Sequence, residues 1–346
     1  MNKSSNVTDK DIVQYTTIEI FSLIAFSIVI LVGGVGNILV IYVYGFTKRR
    51  RFAKFEKLML MLGIVDLVAS ITNPLYFIYR IAEKEVWKLG YSMCKLVPAL
   101  GPIFTSISLG IILIMAVDRD RAISTPFKEQ FKLKTIRTSV FINVFCSVLI
   151  TIPYINHLNT VVINGKIYCM VDVGNAYNIF VVCMFGLSDV IFLLVFTITT
   201  LRIYSKLRMK KNQKPSRFQK RQTLETNRII KTIFTMGFIF VICVFPRDML
   251  FIGFSLRRIF PPSIPIEEVS NLNNLFKVLH TSNSCVNIFL YSVIHKKFRR
   301  EIITLLKNSR IFRSSLSVLL YKKKVSGRKD TRLQDKELLT IEKNNN

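Results

Sequence analysis

The amino-acid sequence predicts an all-α membrane protein: a bundle of seven transmembrane helices with a short amphipathic eighth helix and an extracellular β-hairpin loop. Apolar residues make up 51% of the 346, including 27 phenylalanines, yet the formal net charge is +28. A soluble domain of this length does not combine such hydrophobicity with such charge. A membrane protein does, because its spans are apolar and its loops carry the charge.

Long apolar runs define the helices, since a spanning helix needs about 20 mostly apolar residues. Six runs are of this kind: Ile20 to Tyr44, Leu58 to Ile78, Leu96 to Val117, Val140 to Tyr154, Ile179 to Leu201 and Ile229 to Phe254. A seventh, Val269 to Ile294, is interrupted by the polar stretch "HTSNSCVN". Its length and the basic flank "HKKFRR" still predict a span.

The basic residues predict the orientation of these helices. Of the 49 lysines and arginines, 38 fall in the segments 47–57, 119–137, 202–231 and 296–346. The positive-inside rule places these segments in the cytoplasm. The predicted organisation is an extracellular N-terminus, a helical bundle, an amphipathic helix and a disordered basic cytoplasmic tail, at residues 1–17, 18–295, 296–306 and 307–346.

Two further conclusions follow from this orientation. The sequons at Asn2 and Asn6 are predicted glycosylation sites because they lie outside the cell. The excess of positive charge indicates contact with anionic inner-leaflet lipid and does not indicate nucleic-acid binding. We expect a multi-pass protein of the plasma membrane.

Two of the six cysteines fall where a disulfide is permitted. Cys94 lies at the outer end of the third run, and Cys169 lies in the outside loop "VVINGKIYCMVD". We predict a bridge between them, the alternative being two free thiols. The loop alternates apolar residues around Asn164-Gly165, which predicts a hairpin.

Polar residues inside the spans predict a buried cluster. Asp66 lies in the middle of the second run, and Asn283, Asn287 and Tyr291 recur at intervals of four, on one helical face. With Ser108 of the third run, they offer oxygen ligands suited to a hard monovalent cation or a proton. The alternative is a hydrogen-bonded structural cluster without an ion.

Pro246 lies well inside the sixth run. A proline there removes an amide donor and frees the carbonyl of Ile242, which predicts a kink. The kink is either a hinge or a static bend.

Together these residues resemble the rhodopsin-like (class A) G-protein-coupled receptors. The resemblance covers nearly all of the chain except its ends. Its motifs stand in the family's order: "GN" with Asn37, "LGIVD" with Asp66, Cys94 followed by "AVDRDRAISTP", "FVICVFP" from Phe240 to Pro246, and "NSCVNIFLY" ending at Tyr291.

The resemblance implies a role for several residues. Arg119 would pair with Asp118 at rest and be released to meet a heterotrimeric G protein, with Tyr291 part of the same switch. Phe240 and Pro246 would form the hinge of the sixth helix. Asp66, Ser108, Asn283 and Asn287 would hold an allosteric sodium ion. On the tail, a receptor kinase and arrestin are the expected partners.

The sequence also departs from the family pattern. Asp120 replaces the tyrosine of Asp-Arg-Tyr, Val244 replaces the sixth-helix tryptophan, and Ile288 replaces the seventh-helix proline. These departures predict a loose resting state with measurable basal activity. Equal nucleotide exchange with and without Arg119 would contradict that expectation.

The class of ligand that this chain binds is predicted mainly by excluding other classes. The family resemblance excludes retinal, because Thr281 stands where the retinal lysine would be, and amines, because Gly101 stands where their carboxylate partner would be. The remaining charged candidates favour a peptide with a carboxylate, since arginine pairs bidentately with carboxylates. With Gly101, the candidate pocket residues are Arg80, Asp172, Arg247, Asp248 and Lys277. A small anionic or lipid mediator is the alternative, and Arg247 could instead simply pair with Asp248.

Other functional classes receive less support. The chain has no glycine-rich phosphate loop and no nucleophile with a base at motif spacing, so we do not expect an enzyme. An ion-coupled transporter would use intramembrane Asp and Asn residues, but the two halves of the chain show no repeat.

Overall fold

The computed structural model describes residues 14–46, 54–125, 129–172, 174–210, 217–259 and 266–308. The chain divides into two compact units, Met1–His295 and Lys296–Asn346, which we describe separately. The predicted glycosylation sites Asn2 and Asn6 lie outside the described residues, as does the tail beyond residue 308.

Among the described residues, seven helices form the first unit, and each apolar run lies within one of them, except that the first run extends into the π-helical turn after α1. They are α1 (Thr17–Ile41, followed by a π-helical turn Tyr42–Phe46), α2 (Lys54–Ala82), α3 (Gly90–Ser124), α4 (Leu133–His157), α5 (Asn175–Lys210), α6 (Arg217–Ile259) and α7 (Ile266–Ile294). Within the described residues, α1 to α6 are long and apolar enough to cross a membrane. Helix α7, with 29 residues, is long enough to cross a membrane, but its central polar residues make its most apolar stretch less apolar than that of each of the other six.

Helix α1 begins at a capping box formed by Thr16 and Glu19. The Thr16 hydroxyl accepts a hydrogen bond from the Glu19 amide at 3.2 Å, and the Glu19 carboxylate accepts one from the Thr16 amide at 2.8 Å. Two amide donors of the first turn are thereby satisfied. The helix therefore starts three residues before the apolar run does.

Close backbone approach holds α1, α2 and α7 together. A Cβ added at Gly33 would lie 2.6 Å from Ser70 Cβ, and one at Gly36 would lie 2.7 Å from Ile288 Cδ1. Without a hydrophobic driving force between helices in lipid, such contacts provide the packing energy. Ile288, which stands where the family resemblance led us to expect proline, thus packs against a glycine of α1.

Gly33→Ala is expected to lower the free energy of unfolding by about 1–3 kcal/mol, because the new methyl group meets Ser70 Cβ and the helices must separate. The neighbouring Gly34 is also buried but has nothing within 4 Å of an added Cβ. Gly34→Ala is therefore the matched control and should not lower stability. Thermal unfolding in nanodiscs measures both. Equal melting temperatures for the two variants would contradict the packing argument.

The predicted hairpin is confirmed. Strands β1 (Leu158–Ile163) and β2 (Lys166–Val171) pair antiparallel with Ile163 opposite Lys166. The two turn residues, Asn164 and Gly165, have φ values of 50° and 75°. Positive φ at both positions is what a two-residue type I′ turn requires, and Asn-Gly adopts it readily.

The predicted disulfide is also confirmed, joining Cys94 of α3 to Cys169 of β2 with a Cα–Cα distance of 5.6 Å. Around it, Trp87, Cys94, Leu158 and Cys169 form a buried cluster. The Trp87 amide donates to the Ile167 carbonyl at 2.7 Å, so the loop between α2 and α3 adds to the hairpin. We refer to this part of the bundle as the hairpin end.

The second unit is described only by its helix, α8 (Lys296–Asn308), two residues longer than predicted. Phe298, Ile302 and Leu305 recur at intervals of three and four and share a face, whereas Arg299 and Arg300 lie off that face. This pattern is typical of a helix that lies in a membrane interface.

Candidate functional site

A cavity of about 300 Å³ lies between helices α2 to α7 at the hairpin end. Most of its wall is aromatic or aliphatic, with a small number of charged groups, as in many ligand sites. Five of the six pocket candidates line it: Arg80, Gly101, Arg247, Asp248 and Lys277.

The positive charges of the cavity lie on α2, α6 and α7. The Arg247 guanidinium stacks over the rings of Phe77 and Phe251, at 5.6 and 5.2 Å from the ring centroids. Lys277 Nζ lies 5.5 Å from the Phe77 centroid, so one ring contacts two cations. Arg80 is already paired, with Glu85. Cation–π contacts of this kind hold a charge in place without neutralising it.

His280 is a site residue that sequence reasoning missed, because the three histidines are scattered along the chain. Its Nε2 lies 3.4 Å from Arg247 Nη1 and 3.3 Å from Thr105 Oγ1. The side chain is 5% exposed. His280 therefore orients Arg247 towards α7 rather than supplying a charge of its own.

Arg247 does not pair with Asp248, although the two residues are adjacent. Among the residues that the structure describes, no carboxylate lies within salt-bridge distance of the Arg247 guanidinium. Arg247 and Asp248 therefore form no direct ion pair, and the guanidinium remains available to a carboxylate from outside.

Negative charge enters the cavity from α5 and α6. Asp248 is 8% exposed and Asp189 is 4% exposed, and both line the cavity. Asp189 was missed in the sequence, although the signal was present: a single carboxylate in the middle of an apolar run is expensive in a membrane and usually functional.

Asp172 is the one pocket candidate that the structure does not bring to the cavity. It directly follows β2, its side chain is exposed, and it does not line the cavity. Its amide donates to the His157 carbonyl at 2.6 Å, which fixes the backbone where the hairpin rejoins α4. Sequence reasoning placed it in the pocket only because it lies in the loop over the mouth.

The four residues of the predicted ion cluster are all buried. Asp66 accepts hydrogen bonds from Ser108 Oγ at 3.1 Å and from Asn287 Nδ2 at 2.7 Å, which joins α2, α3 and α7. Asn283 lies one turn before Asn287 on α7 and is 7% exposed. Nearby, Asn37 Nδ2 donates to the Ser284 carbonyl at 2.9 Å, so α1 is tied to the same place.

At the opposite end of the bundle, Arg119 is held in two ways. Its Nη2 lies 2.7 Å from Asp118 Oδ2, and its guanidinium stands 5.6 Å from the centroid of the Phe55 ring. Phe55 stacks on His295 at 5.6 Å, and His295 meets the edge of Tyr291 at 6.1 Å. A row of rings therefore connects the two predicted switch residues, Arg119 on α3 and Tyr291 on α7.

This arrangement of helices, disulfide and polar clusters agrees with a known family. A family model described as "7 transmembrane receptor (rhodopsin family)" matches residues 36–291. The chain belongs to this family. Its members are multi-pass membrane proteins that act as signalling receptors rather than as enzymes, and α7 is the seventh span.

Relatives of similar sequence are receptors, and two of the three described here are named for formyl peptides. Prokineticin receptor 1 of Rattus norvegicus is 26% identical over 296 residues, covering 80% of this chain and 73% of the relative. Formyl peptide receptor-related sequence 4 of Mus musculus is 24% identical over 294 residues, covering 82% and 88%. N-formyl peptide receptor 2 of Pongo pygmaeus is 24% identical over 317 residues, covering 85% and 86%.

The structure accounts for one departure of this rhodopsin-family receptor from its family pattern. Asp120, in place of tyrosine, is 7% exposed and lies 3.4 Å from Arg202 Nε of α5. Its other oxygen accepts a hydrogen bond from Ser124 Oγ at 2.7 Å. Asp120 thus forms an ion pair between α3 and α5 that a tyrosine could not form.

Of the two predicted hinge residues, only Phe240 lines the cavity. Phe240 is 1% exposed, lines the cavity and lies 5.5 Å from the Phe192 ring of α5. Helix α6 continues through Pro246 as one helix. A hinge at this proline therefore stays a prediction.

Proposed function

We propose that this receptor binds an extracellular peptide through a carboxylate and activates a heterotrimeric G protein through Asp118 and Arg119. One observation supports this most strongly: the Arg247 guanidinium faces an aromatic cavity without a carboxylate partner among the described residues. An arginine held in this way suits a bidentate bond to a carboxylate. The names of the relatives, which refer to prokineticin and formyl peptide, also favour a peptide.

The proposed orientation places the hairpin end outside the cell, in the plasma membrane, with the C-terminus in the cytoplasm. It follows from the distribution of lysine and arginine, and the disulfide at the hairpin end supports it because disulfides persist in oxidising compartments. A receptor kinase and arrestin remain proposed partners of the tail.

Activation follows from the geometry at the Arg119 end. In this structure Arg119 is bound to Asp118 and to the face of Phe55. A ligand that favours the open packing must release those contacts, because it can shift the equilibrium only by its differential affinity for the two states. The released guanidinium then contacts the G protein.

A sodium ion is the second part of the proposal. Asp66 lies 1% exposed in the membrane without a basic partner among the described residues. Asp66, Ser108, Asn283 and Asn287 offer carboxylate, hydroxyl and amide oxygens, which are hard donors of the kind that Na⁺ requires. Bound there, the ion would supply the positive charge that the Asp66 carboxylate lacks.

Guanine-nucleotide exchange tests the G-protein step. Membranes that carry the wild-type chain are expected to increase exchange on at least one Gα subunit when a tissue peptide extract is added, and Arg119→Ala is expected to abolish the increase. Arg121, whose guanidinium bonds to the Glu129 carbonyl, provides the control Arg121→Ala, which should retain it. Failure of the wild type on every Gα, with the protein at the cell surface, would contradict the proposal. Stimulation by a lipid extract alone would contradict the peptide.

Asp120→Asn is expected to raise basal exchange about two- to fivefold, because it removes the attraction to Arg202 and weakens the α3–α5 connection of the resting state. The increase is small because Arg202 is largely exposed and such pairs contribute at most about 1 kcal/mol. Lys132→Gln breaks an exposed pair with Glu129 and serves as the control, with no expected change. Basal exchange of Asp120→Asn equal to wild type would show that this pair does not restrain the receptor.

A further inference from the structure

We infer that Asp189 and Asp248 form a second subsite in the cavity that binds a cationic group of the same ligand. This inference deepens the proposed function, on which it rests: the ligand is a peptide segment that carries a carboxylate and, a short distance away, an ammonium or guanidinium group. The two acids lie on α5 and α6, whereas the cations Arg247 and Lys277 contact the Phe77 ring of α2.

The first observation is that the two carboxylates are unpaired. Asp189 is 4% exposed, and its buried Oδ2 has no hydrogen-bond partner among the described residues. Asp248 is 8% exposed and makes no ion pair within the described part of the chain. Both line the cavity. Burying a carboxylate without a partner is energetically unfavourable, and a cation from outside would offset that cost.

The second observation is the direction of the neighbouring cation. Arg247 precedes Asp248 on α6 but turns the other way, towards His280 of α7 and the Phe77 ring of α2. Asp248 makes no ion pair with it within the described part of the chain and lines the cavity together with Asp189 of α5. Adjacent residues of one helix are about 100° apart around its axis, so α6 presents its two charges to the cavity in different directions.

A metal ion is a poorer occupant than an organic cation. Among the described residues, no group of three or more His, Cys, Asp and Glu side chains could hold a metal. Two carboxylates in an otherwise aromatic wall suit a guanidinium or ammonium, which can donate to both and rest against the rings. Tyr177 and Phe185 supply such rings on the α5 side.

The inference can be tested by affinity selection without knowing the ligand. The probe is a library of octapeptides in which three charged groups are each paired with a neutral counterpart. One position holds either arginine or its neutral isostere citrulline, in equal amounts. The N-terminus is either free or acetylated, and the C-terminus is either free or amidated. The full chain is presented in nanodiscs of zwitterionic phosphatidylcholine, with empty nanodiscs as the background. Mass spectrometry then gives the ratio of each charged form to its neutral counterpart among the bound peptides.

The wild type is expected to enrich arginine over citrulline, or the free amine over the acetylated form, about tenfold, as for a charge-assisted hydrogen bond. Enrichment of arginine identifies a guanidinium as the bound cation, and enrichment of the free amine identifies the peptide N-terminus. Asp189→Asn with Asp248→Asn should reduce that ratio to about one and leave the enrichment of free carboxylate over amide, which shows that the cavity is intact. Asp248→Glu should retain the preference for the cation.

Two results would overturn the inference. One is a wild-type ratio near one for both cations, and the other is an unchanged ratio in the double variant, which would mean that the two acids are neutral or share a proton. If the double variant also loses the carboxylate preference, the single variants Asp189→Asn and Asp248→Asn decide, each with an expected reduction of at least threefold. The proposed function fails separately, through absence of carboxylate enrichment or of nucleotide exchange.

Discussion

Replacing Cys94 and Cys169 together by alanine is expected to lower the free energy of unfolding by about 4 kcal/mol. The bridge closes a loop with a sequence separation of 75 residues, and the chain-entropy relation gives about 4–4.5 kcal/mol for a loop of that length. Alanine keeps these two positions apolar within the buried Trp87 cluster. The loss of stability therefore measures the contribution of the disulfide. We expect the melting temperature in nanodiscs to fall by roughly 10 °C and surface expression to fall with it.

The free cysteines provide the control for this experiment. Cys146 and Cys183 are unbridged and exposed, so Cys146→Ala with Cys183→Ala should leave the melting temperature unchanged. Reduction of the wild type by dithiothreitol should reproduce the effect of the Cys94 and Cys169 variant and have no further effect on that variant. If the variant without the disulfide had the same melting temperature as the wild type, the stability of the hairpin end would not depend on the disulfide.

Arg247→Gln is expected to raise the half-maximal concentration of the stimulating peptide by about 10- to 100-fold, because a charge-assisted hydrogen bond contributes about 1.5–3 kcal/mol. Arg247→Lys should fall between the variant and the wild type, since lysine keeps the charge but loses the planar pair of donors. Dose-dependent nucleotide exchange, corrected for surface expression, measures both.

Arg80→Gln offers the comparison within the same cavity. Arg80 is already paired with Glu85 and donates to the Tyr76 hydroxyl at 2.9 Å. We therefore expect a smaller loss of potency than for Arg247→Gln. The reverse order, or a potency for Arg247→Gln equal to that of wild type, would contradict the assignment of Arg247 as the carboxylate partner.

The sequence by itself determined the helices, the hairpin and the disulfide. These features depend on local physics: a span needs a run of apolar residues, and Asn164-Gly165 adopts the two positive φ values of a tight turn. Of the six cysteines, only Cys94 and Cys169 lie outside the apolar runs, Cys94 at the outer end of the third. The same reasoning identified Asp66 and Asn287, because a polar residue in an apolar run stands out in the sequence. Asp189 stood out in the same way and was overlooked.

Only the tertiary structure decided which charges meet. Arg247 and Asp248 are adjacent in sequence, yet Arg247 contacts α7 and α2 and forms no ion pair with Asp248, because a helix places consecutive side chains about 100° apart. Asp172 follows the hairpin but does not line the cavity. Asp120 of α3 forms an ion pair with Arg202 of α5, which lies 82 positions later in the sequence. Such pairings depend on the rotation and spacing of whole helices, which close contacts such as that of Gly33 with Ser70 establish. No local pattern of residues encodes them.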